Sequence, residues 1–277
     1  MKWRKLISVP TVAIAVWCGA FVSEKKQNIL APWILPIDGH SSVKWDANWD
    51  GRHVIPIEVK NTTETQDTSA KRSPHVRRHI FLVRHGQYKV QGRTDLEQSL
   101  TSLGERQADL AGKRLQQYGY TYTRLVSSRM TRAKDTACVI KETINEIQHE
   151  ETYLLTEGAP IKPEPLVDGW NPDKDPFYQD SVRIEAAFRH FINRPDATQT
   201  EDSYEILVCH ANVIRYFVCR ALQLPPEAWL RMSLNHGSIT WLTILNTGDV
   251  VLKQYGDTGF MPVKDCTTYN FPEDVSE

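Results

Sequence analysis

The stretch Ile80–Gly86, with the sequence IFLVRHG, decides how this chain folds. Its four leading apolar residues predict a strand that is buried on both faces, as in the parallel sheets of α/β proteins. The strand ends in Arg84 and His85, and Gly86 after them lets the backbone approach a ligand closely. Because ligands bind at the carboxyl ends of strands in open α/β sheets, the stretch also predicts a functional site.

The sequence after this strand alternates apolar runs with amphipathic stretches, which is typical of an α/β domain with a mostly parallel sheet. The further predicted strands are Leu125-Val126 with its flanks, Ile206–Cys209 and Ile239–Ile244. One helix is predicted to begin at Ser102, which would form a capping box with Glu105 and direct Leu103, Leu110 and Leu115 inward. Two more helices are predicted over about 130–144 and 213–222. We expect the domain to cover residues 76–272, followed by a short tail, 273–277.

The composition excludes several classes of protein. The chain has 277 residues, 40% of them hydrophobic and 24% charged, which indicates a globular protein. Its formal net charge of −1, from 33 basic and 34 acidic residues, argues against nucleic acid as a partner. Its five cysteines include no C-x-x-C pair, so neither a disulfide framework nor a zinc site is expected.

The amino terminus carries an apolar segment, Leu6–Val22, without a charged residue. It is close to the length that spans a bilayer, about 20 residues, and Lys2, Arg4 and Lys5 before it would stay on the positive-inside face. Residues 1–23 therefore predict a single membrane anchor. A cleaved secretory signal has a similar pattern and remains the alternative.

Residues 24–75 have little apolar periodicity and are predicted to be a linker. The linker contains the unit Trp45–Asp50, with the sequence WDANWD. Because tryptophan is costly to expose, the unit suggests a docking segment, and packing onto its own domain is the alternative. The residues concerned are Trp45, Asp46, Asn48, Trp49 and Asp50.

Several polar side chains are expected to meet at the carboxyl edge of the sheet. His210 follows one strand and opens a helix, so it should lie near Arg84 and His85, beside free helix N–H groups. Arg132 follows another strand and can grip phosphate bidentately. Glu157 lies in a loop and could donate a proton. These groups suit a phosphate ligand.

The motifs resemble the histidine phosphatase superfamily, in its phosphoglycerate mutase-like branch. The stretches that carry the resemblance are Phe81–Gly86, Leu100–Ala108, Ser127–Thr136 and Cys209–Ala211. The resemblance implies a three-layer α/β/α sandwich and a phosphohistidine mechanism. It implies His85 as the nucleophile and Glu157 as the general acid and base, with His210 beside them. Arg84, Arg132 and His210 would bind the phosphate; neither a cofactor nor a metal is implied.

A closer similarity is to the mitochondrial serine/threonine-protein phosphatases of the phosphoglycerate mutase family. It lies in Glu157–Ile161, Ala186–Arg189, Glu201–Ile206, His210–Tyr216, Asp257–Pro262 and the Trp45–Asp50 unit. It implies phosphoprotein substrates, a single-pass anchor through residues 6–22, and oligomers, dimeric or larger, formed through the tryptophan unit. The phosphatase domain would lie in the intermembrane space or face the cytosol.

Two positions and two rival functions remain open. Thr156 stands where relatives commonly have an arginine, which bears on substrate preference. His236 precedes a strand and is expected at the pocket rim, whereas the other histidines are expected to be structural. A phosphatase or mutase for small metabolites has the same core chemistry. A non-catalytic mitochondrial scaffold would have lost a motif residue, yet all of them are present.

Overall fold

The computed structural model describes residues 44–52, 76–144, 147–166 and 177–268. The predicted anchor at 6–22, most of the 24–75 linker and the 273–277 tail lie outside these ranges. Within these ranges no helix has the length and apolar character needed to cross a membrane. The anchor therefore stays a prediction. The chain divides into two units after Trp45, and the fold belongs to the unit that begins at Asp46.

The described part of this unit contains six strands, four α-helices and two short 3-10 helices. The strands are β1 Arg77–Arg84, β2 Arg124–Ser128, β3 His149–Thr152, β4 Ser203–Cys209, β5 Ile239–Leu245 and β6 Val250–Asp257. The α-helices are α1 Ser102–Gln117, α2 Thr131–Ile144, α3 Phe177–Phe191 and α4 Ala211–Ala221. The 3-10 helices are Pro226–Arg231 and Val263–Asp265.

The six strands form one sheet in the order β3-β2-β4-β1-β5-β6. The first four run parallel, whereas β5 pairs antiparallel with β1 and β6 pairs antiparallel with β5. The sheet is therefore mixed, and the predicted parallel character holds for one side only. A short turn with Gly248 at φ +93° joins β5 to β6, and so short a connection permits only antiparallel pairing.

The core lies in two apolar layers, one on each face of the sheet. Ile80 and Leu82 of β1 pack in one cluster with residues of α3 and α4, such as Phe188. Phe81 and Val83 point to the opposite face and pack with residues of α1 and α2. Because neighbouring residues of a strand face opposite sides, one continuous apolar run supplies both layers, and the three-layer arrangement follows.

Helix α1 begins differently from the prediction. Its N-cap is Thr101, whose hydroxyl accepts a hydrogen bond from the N–H of Gly104 at 3.0 Å, so the predicted Ser102–Glu105 capping box is wrong. Leu115 is buried as predicted, but Leu103 and Leu110 are only half-buried. The rest of the buried face is made of small residues and Gln107. A Cβ at Gly104 would collide with the carbonyl oxygen of Gln87. The glycine therefore allows α1 to lie against the loop that follows β1.

The segment from Asp46 to Arg52 packs on its own domain, as in the alternative left open by the sequence. The Asp50 carboxylate accepts hydrogen bonds from Arg194 Nε, Nη2 and the backbone N–H at 2.7 to 3.0 Å. The Trp49 indole donates to the Gly248 carbonyl at 2.7 Å, and its ring lies 5.9 Å from that of Phe188. Oligomerisation through the tryptophan unit stays a prediction.

Candidate active site

The predicted site residues lie together at one edge of the sheet. Arg84 ends β1 and His85 follows it, Arg132 lies in the first turn of α2, and Glu157 lies in the loop after β3. These four side chains line one cavity of about 350 Å³. His210 follows β4, and its ring centroid lies 5.1 Å from that of His85. The strand ends and the loop therefore bring together the five residues that the sequence singled out.

His85 is held in one tautomer. Its Nδ1 lies 2.8 Å from the carbonyl oxygen of Gly86, and because that oxygen can only accept, Nδ1 carries the hydrogen. Its Nε2 therefore keeps a lone pair, which accepts a 3.3 Å hydrogen bond from Arg132 Nε. Burial lowers the pKa of His85 well below its usual value, and the nearby His210, Arg84 and Arg132 lower it further. The imidazole is neutral and nucleophilic at Nε2.

Hydrogen bonds to backbone carbonyl oxygens hold the guanidinium of Arg84 in place. Its Nη1 donates to the carbonyl oxygens of Leu234 at 2.6 Å and Thr268 at 2.8 Å. Its Nε is buried without a hydrogen-bond partner. Burial lowers the pKa of Arg84 to about 10, so the group remains charged at neutral pH. A charged guanidinium that lines the cavity suits an anion there.

His236 lies inside the pocket and holds Arg84. Its Nε2 is 3.0 Å from Arg84 Nη2, and its Nδ1 is 2.9 Å from the hydroxyl of Thr267. Burial lowers the pKa of His236 to about 3, and the charge of Arg84 contributes. A neutral His236 with its hydrogen on Nδ1 accepts from Arg84 at Nε2. Its ring centroid is 5.6 Å from that of His85, so it lines the pocket wall.

His210 presents an unused nitrogen. The residue is fully buried, and its Nε2 lies 2.9 Å from the Ser128 hydroxyl. Its Nδ1 is buried without a hydrogen-bond partner. His210 is also the N-cap residue of α4 and makes no side-chain cap, so the N–H groups of the first turn are left for another acceptor. Burial, followed by the charges of Arg132 and Arg84, lowers its pKa well below the usual value.

Glu157 is the acidic group of the pocket. Its Oε1 accepts a 3.2 Å hydrogen bond from the N–H of Gly158. Burial raises the pKa of Glu157, and this outweighs the opposing effects of that hydrogen bond and of the arginines Arg132, Arg84 and Arg215. A carboxyl group with a raised pKa retains its proton to higher pH, as a general acid requires. These properties suit the proton-donor role that the resemblance implies for Glu157.

Arg183 of α3 supports the loop that carries Glu157. Its guanidinium donates to the carbonyl oxygens of Leu154, Thr156 and Glu157 at 3.1, 2.6 and 3.0 Å. Sequence reasoning missed Arg183, because the helix that carries it was not predicted. Thr156 turns its hydroxyl to the carbonyl oxygen of Tyr153 at 2.8 Å.

Arg132 is positioned by contacts besides that with His85. Its guanidinium lies 4.6 Å from the centre of the Tyr88 ring, and Nη1 donates to the Gln98 side chain at 3.3 Å. In the described part of the chain, no three His, Cys, Asp or Glu side chains are grouped in a way that could hold a metal ion. That the chemistry needs no metal stays a prediction.

Comparisons with known proteins agree with this geometry. The family model of the histidine phosphatase superfamily (branch 1) matches residues 80–159 and 165–258. The chain belongs to this superfamily, as its motifs predicted. The solved structure of Bacillus stearothermophilus YhfR, 19% identical, has a TM-score of 0.52 and covers 66% of this chain and 98% of its own, which shows the shared fold.

Within the superfamily, the chain is similar to proteins named serine/threonine-protein phosphatase PGAM5, mitochondrial. The Xenopus laevis relative is 48% identical over 270 residues, which cover 94% of this chain and 97% of the relative. The human relative is 50% identical over 225 residues, which cover 79% of this chain and 78% of the relative. The predicted similarity to mitochondrial serine/threonine-protein phosphatases is confirmed by these names.

Proposed function

We propose that the chain is a serine/threonine-protein phosphatase that hydrolyses phosphoproteins through a phosphohistidine on His85. The observation that carries this proposal is the tautomer of His85: its Nδ1 is bound to the Gly86 carbonyl, which leaves the lone pair on Nε2, and the side chain lines the cavity. A neutral imidazole held in this way is a nucleophile that needs no proton removed before it attacks.

In the first step, Nε2 of His85 forms a bond to phosphorus, and the bond from phosphorus to the seryl or threonyl oxygen breaks. Arg84, Arg132 and His210 donate to the phosphoryl oxygens, where charge needs stabilisation in phosphoryl transfer. Glu157 gives its proton to the departing oxygen, which is a poor leaving group as an alkoxide. In the second step, Glu157 takes a proton from water, which attacks phosphorus and releases His85 and inorganic phosphate.

Phosphoproteins are favoured over small metabolites by the names of the relatives, which call them serine/threonine-protein phosphatases at about half identity over most of the chain. The superfamily chemistry alone is shared with metabolite phosphatases and mutases, because pocket contacts rather than the fold select the substrate. A non-catalytic scaffold is disfavoured, since four of the five site residues line one cavity and the fifth, His210, lies beside His85.

We also propose that residues 6–22 anchor the protein in a mitochondrial membrane, with the phosphatase domain in the intermembrane space or facing the cytosol. The relatives are named mitochondrial, and the resemblance to them favours an anchor over a cleaved signal. The basic residues before the apolar segment bear on its orientation. Protease protection in intact mitochondria tests the orientation. Carbonate-extractable protein would contradict the anchor.

Oligomerisation through the Trp45–Asp50 unit is a third part of the proposal, supported by the resemblance of this unit. Replacing Trp45 and Trp49 by alanine is expected to lower both the oligomer size and the phosphatase activity. Analytical ultracentrifugation measures the first and phosphate release the second. An unchanged sedimentation profile would argue against a role of this unit in assembly.

The direct test of function is phosphate release from phosphoserine and phosphothreonine peptides with a metal chelator present. The unchanged chain should release phosphate, whereas His85→Ala should be inactive. His190→Gln is the matched control, because His190 is exposed on α3. A rapid quench should capture phosphate on the protein in an acid-labile form, and this label should be absent from His85→Ala. Turnover by His85→Ala equal to that of the unchanged chain would refute the mechanism.

A further inference from the structure

The pocket contains an arginine that the proposed phosphoryl transfer does not use. Arg215 lies in α4, five residues after His210, and lines the same cavity as Arg84 and Arg132. Its Nη1 donates one long hydrogen bond, 3.3 Å, to Asn212 Oδ1, and its side chain also interacts with the Tyr255 hydroxyl. An arginine that lines a cavity is suited to bind an acidic group of a ligand there.

Arg215 lies beside the acid loop. Asn212 connects the two, because its Nδ2 donates to the carbonyl oxygen of Gly158 at 3.2 Å while its Oδ1 accepts from Arg215. The charge of Arg215 acts on the pKa values of Glu157 and Arg84. The pKa of His210, by contrast, is lowered by burial and by Arg132, Arg84 and Arg183. The guanidinium is therefore near the position of the leaving group.

The charges of the pocket leave one cation in excess. Arg84, Arg132 and Arg215 are positive, whereas burial keeps His85 and His236 of the pocket neutral, and also His210 behind them. As the proposed general acid, Glu157 carries its proton, and therefore no charge, when the first step begins. A phosphate monoester carries a charge of about −1.5 to −2 at neutral pH, so roughly one positive charge remains unbalanced.

The cavity also has room for more than a phosphoryl group. Its volume of about 350 Å³ lies in the range of pockets that hold whole drug-sized ligands, about 300 to 1,000 Å³. A guanidinium matches a carboxylate in a two-point contact and is the preferred group for this purpose. The third arginine and the space both point to a second acidic group on the substrate.

We propose that Arg215, held by Asn212, forms a second subsite that binds the side-chain carboxylate of an aspartate or glutamate next to the phosphorylated residue. The inference rests on the proposed function and names its substrate class, acidic phosphopeptides. The rival role for Arg215 is to adjust the proton affinity of Glu157 alone. That role would affect every phosphoserine substrate equally.

The test compares pairs of phosphoserine peptides. The two peptides of a pair differ only in having glutamate or glutamine next to the phosphoserine, and one pair is made for the preceding position and one for the following position. With the full chain, kcat/KM should be about tenfold higher for the glutamate peptide at one of the two positions, as for one hydrogen bond to a charged group. Arg215→Gln should bring this ratio close to one, and Arg215→Lys should give an intermediate ratio. The Arg215→Glu variant should have a higher kcat/KM for a peptide with lysine next to the phosphoserine than for the glutamate peptide.

The control variant is Arg129→Gln, which removes one positive charge from an exposed side chain at the same edge of the sheet and should leave the ratio unchanged. If Arg215→Gln lowers kcat/KM of both peptides equally, the subsite is refuted and the protein phosphatase activity stands. If the unchanged chain shows no preference at either position, the subsite is also refuted. If it turns over neither peptide but hydrolyses small phosphate esters, the proposed function and the peptide subsite both fail.

Discussion

Replacing Arg183 tests how strongly the proposed general acid, Glu157, depends on the hydrogen bonds that Arg183 makes to its loop. The guanidinium holds three carbonyl oxygens of the Leu154–Glu157 loop and also pairs with Asp180 at 2.8 Å. Only 6% of the side chain is exposed. Arg183→Met keeps an apolar stem of similar length but leaves these oxygens without their donor.

The expected size of the effect follows from these contacts. Removing one partner of a buried ion pair costs about 3–5 kcal/mol when the surroundings stay fixed. A surface loop can instead move until water satisfies its oxygens, and a shift of about 1 Å at a catalytic group can cost about 10²-fold. A positioned general acid supplies roughly 10²- to 10⁴-fold. We therefore expect kcat for a phosphoserine peptide to fall by about 10²- to 10³-fold.

The assay pairs the phosphoserine peptide with an aryl phosphate, whose leaving group departs readily without a proton. Arg183→Met should lower kcat for the peptide far more than kcat for the aryl phosphate. Glu157→Gln should show the same pattern, and its loss of kcat is the largest that a displaced Glu157 could cause. The kcat of Arg183→Lys for the peptide should lie between those of the unchanged chain and Arg183→Met, because one ammonium group cannot donate to all three carbonyl oxygens as the guanidinium does.

Equal losses on the two substrates would refute a role of Arg183 through Glu157. Asp180→Asn is a milder variant that leaves Arg183 in place, so it keeps the test informative if Arg183→Met unfolds. Arg189→Gln is the control on the same helix, because its side chain is 67% exposed. Thermal unfolding of each variant separates a displaced loop from a lost fold.

Three further predictions concern pH, packing and the segment before the domain. Turnover of a phosphoserine peptide should fall as pH rises through the raised pKa of Glu157, whereas the aryl phosphate should show no such fall; identical pH profiles would contradict the acid role. Gly104→Ala should destabilise the protein by about 1–3 kcal/mol in chemical denaturation, with Ser102→Ala as the neutral control, because the added methyl meets backbone. Burial raises the pKa of Asp50, but hydrogen bonds from Arg194 lower it further, so the pKa is below its usual value. Asp50→Asn should therefore lower the free energy of unfolding by about 3 kcal/mol well above pH 3.8, and by progressively less as the pH falls. A loss that does not change with pH would contradict this.

The sequence predicts the centre of the sheet better than its edges. The strands β1, β4 and β5 are apolar runs, because both faces of each lie under helices or loops. Edge strand β3 has the sequence HEET and carries no apolar signal. Its existence depends on pairing with β2, which is a tertiary contact that no local pattern reports.

The sequence likewise predicts some residues of the candidate site and misses others. The five predicted residues follow from one rule, that polar groups after buried parallel strands meet at one edge. The support of Glu157 by Arg183 and the contact of His236 with Arg84 depend on how distant segments fold over that edge. The prediction at the start of α1 was wrong because Ser102 and Thr101 are both good N-cap residues, and only the path of the preceding loop selects Thr101.

The position of β1 affects how the chain can fold while it is being synthesised. This strand contains the unbroken apolar run Ile80–Val83, yet its two neighbours are β4, which begins at Ser203, and β5, which begins at Ile239. Roughly 120 residues must leave the ribosome after β1 before β4 is complete, which takes on the order of 6 to 25 s at about 5–20 residues per second. During that interval the run Ile80–Val83 has no partner strand. A nascent chain of this protein is therefore a natural client for chaperones that bind short apolar segments, and its yield should depend on them more than its final stability would suggest.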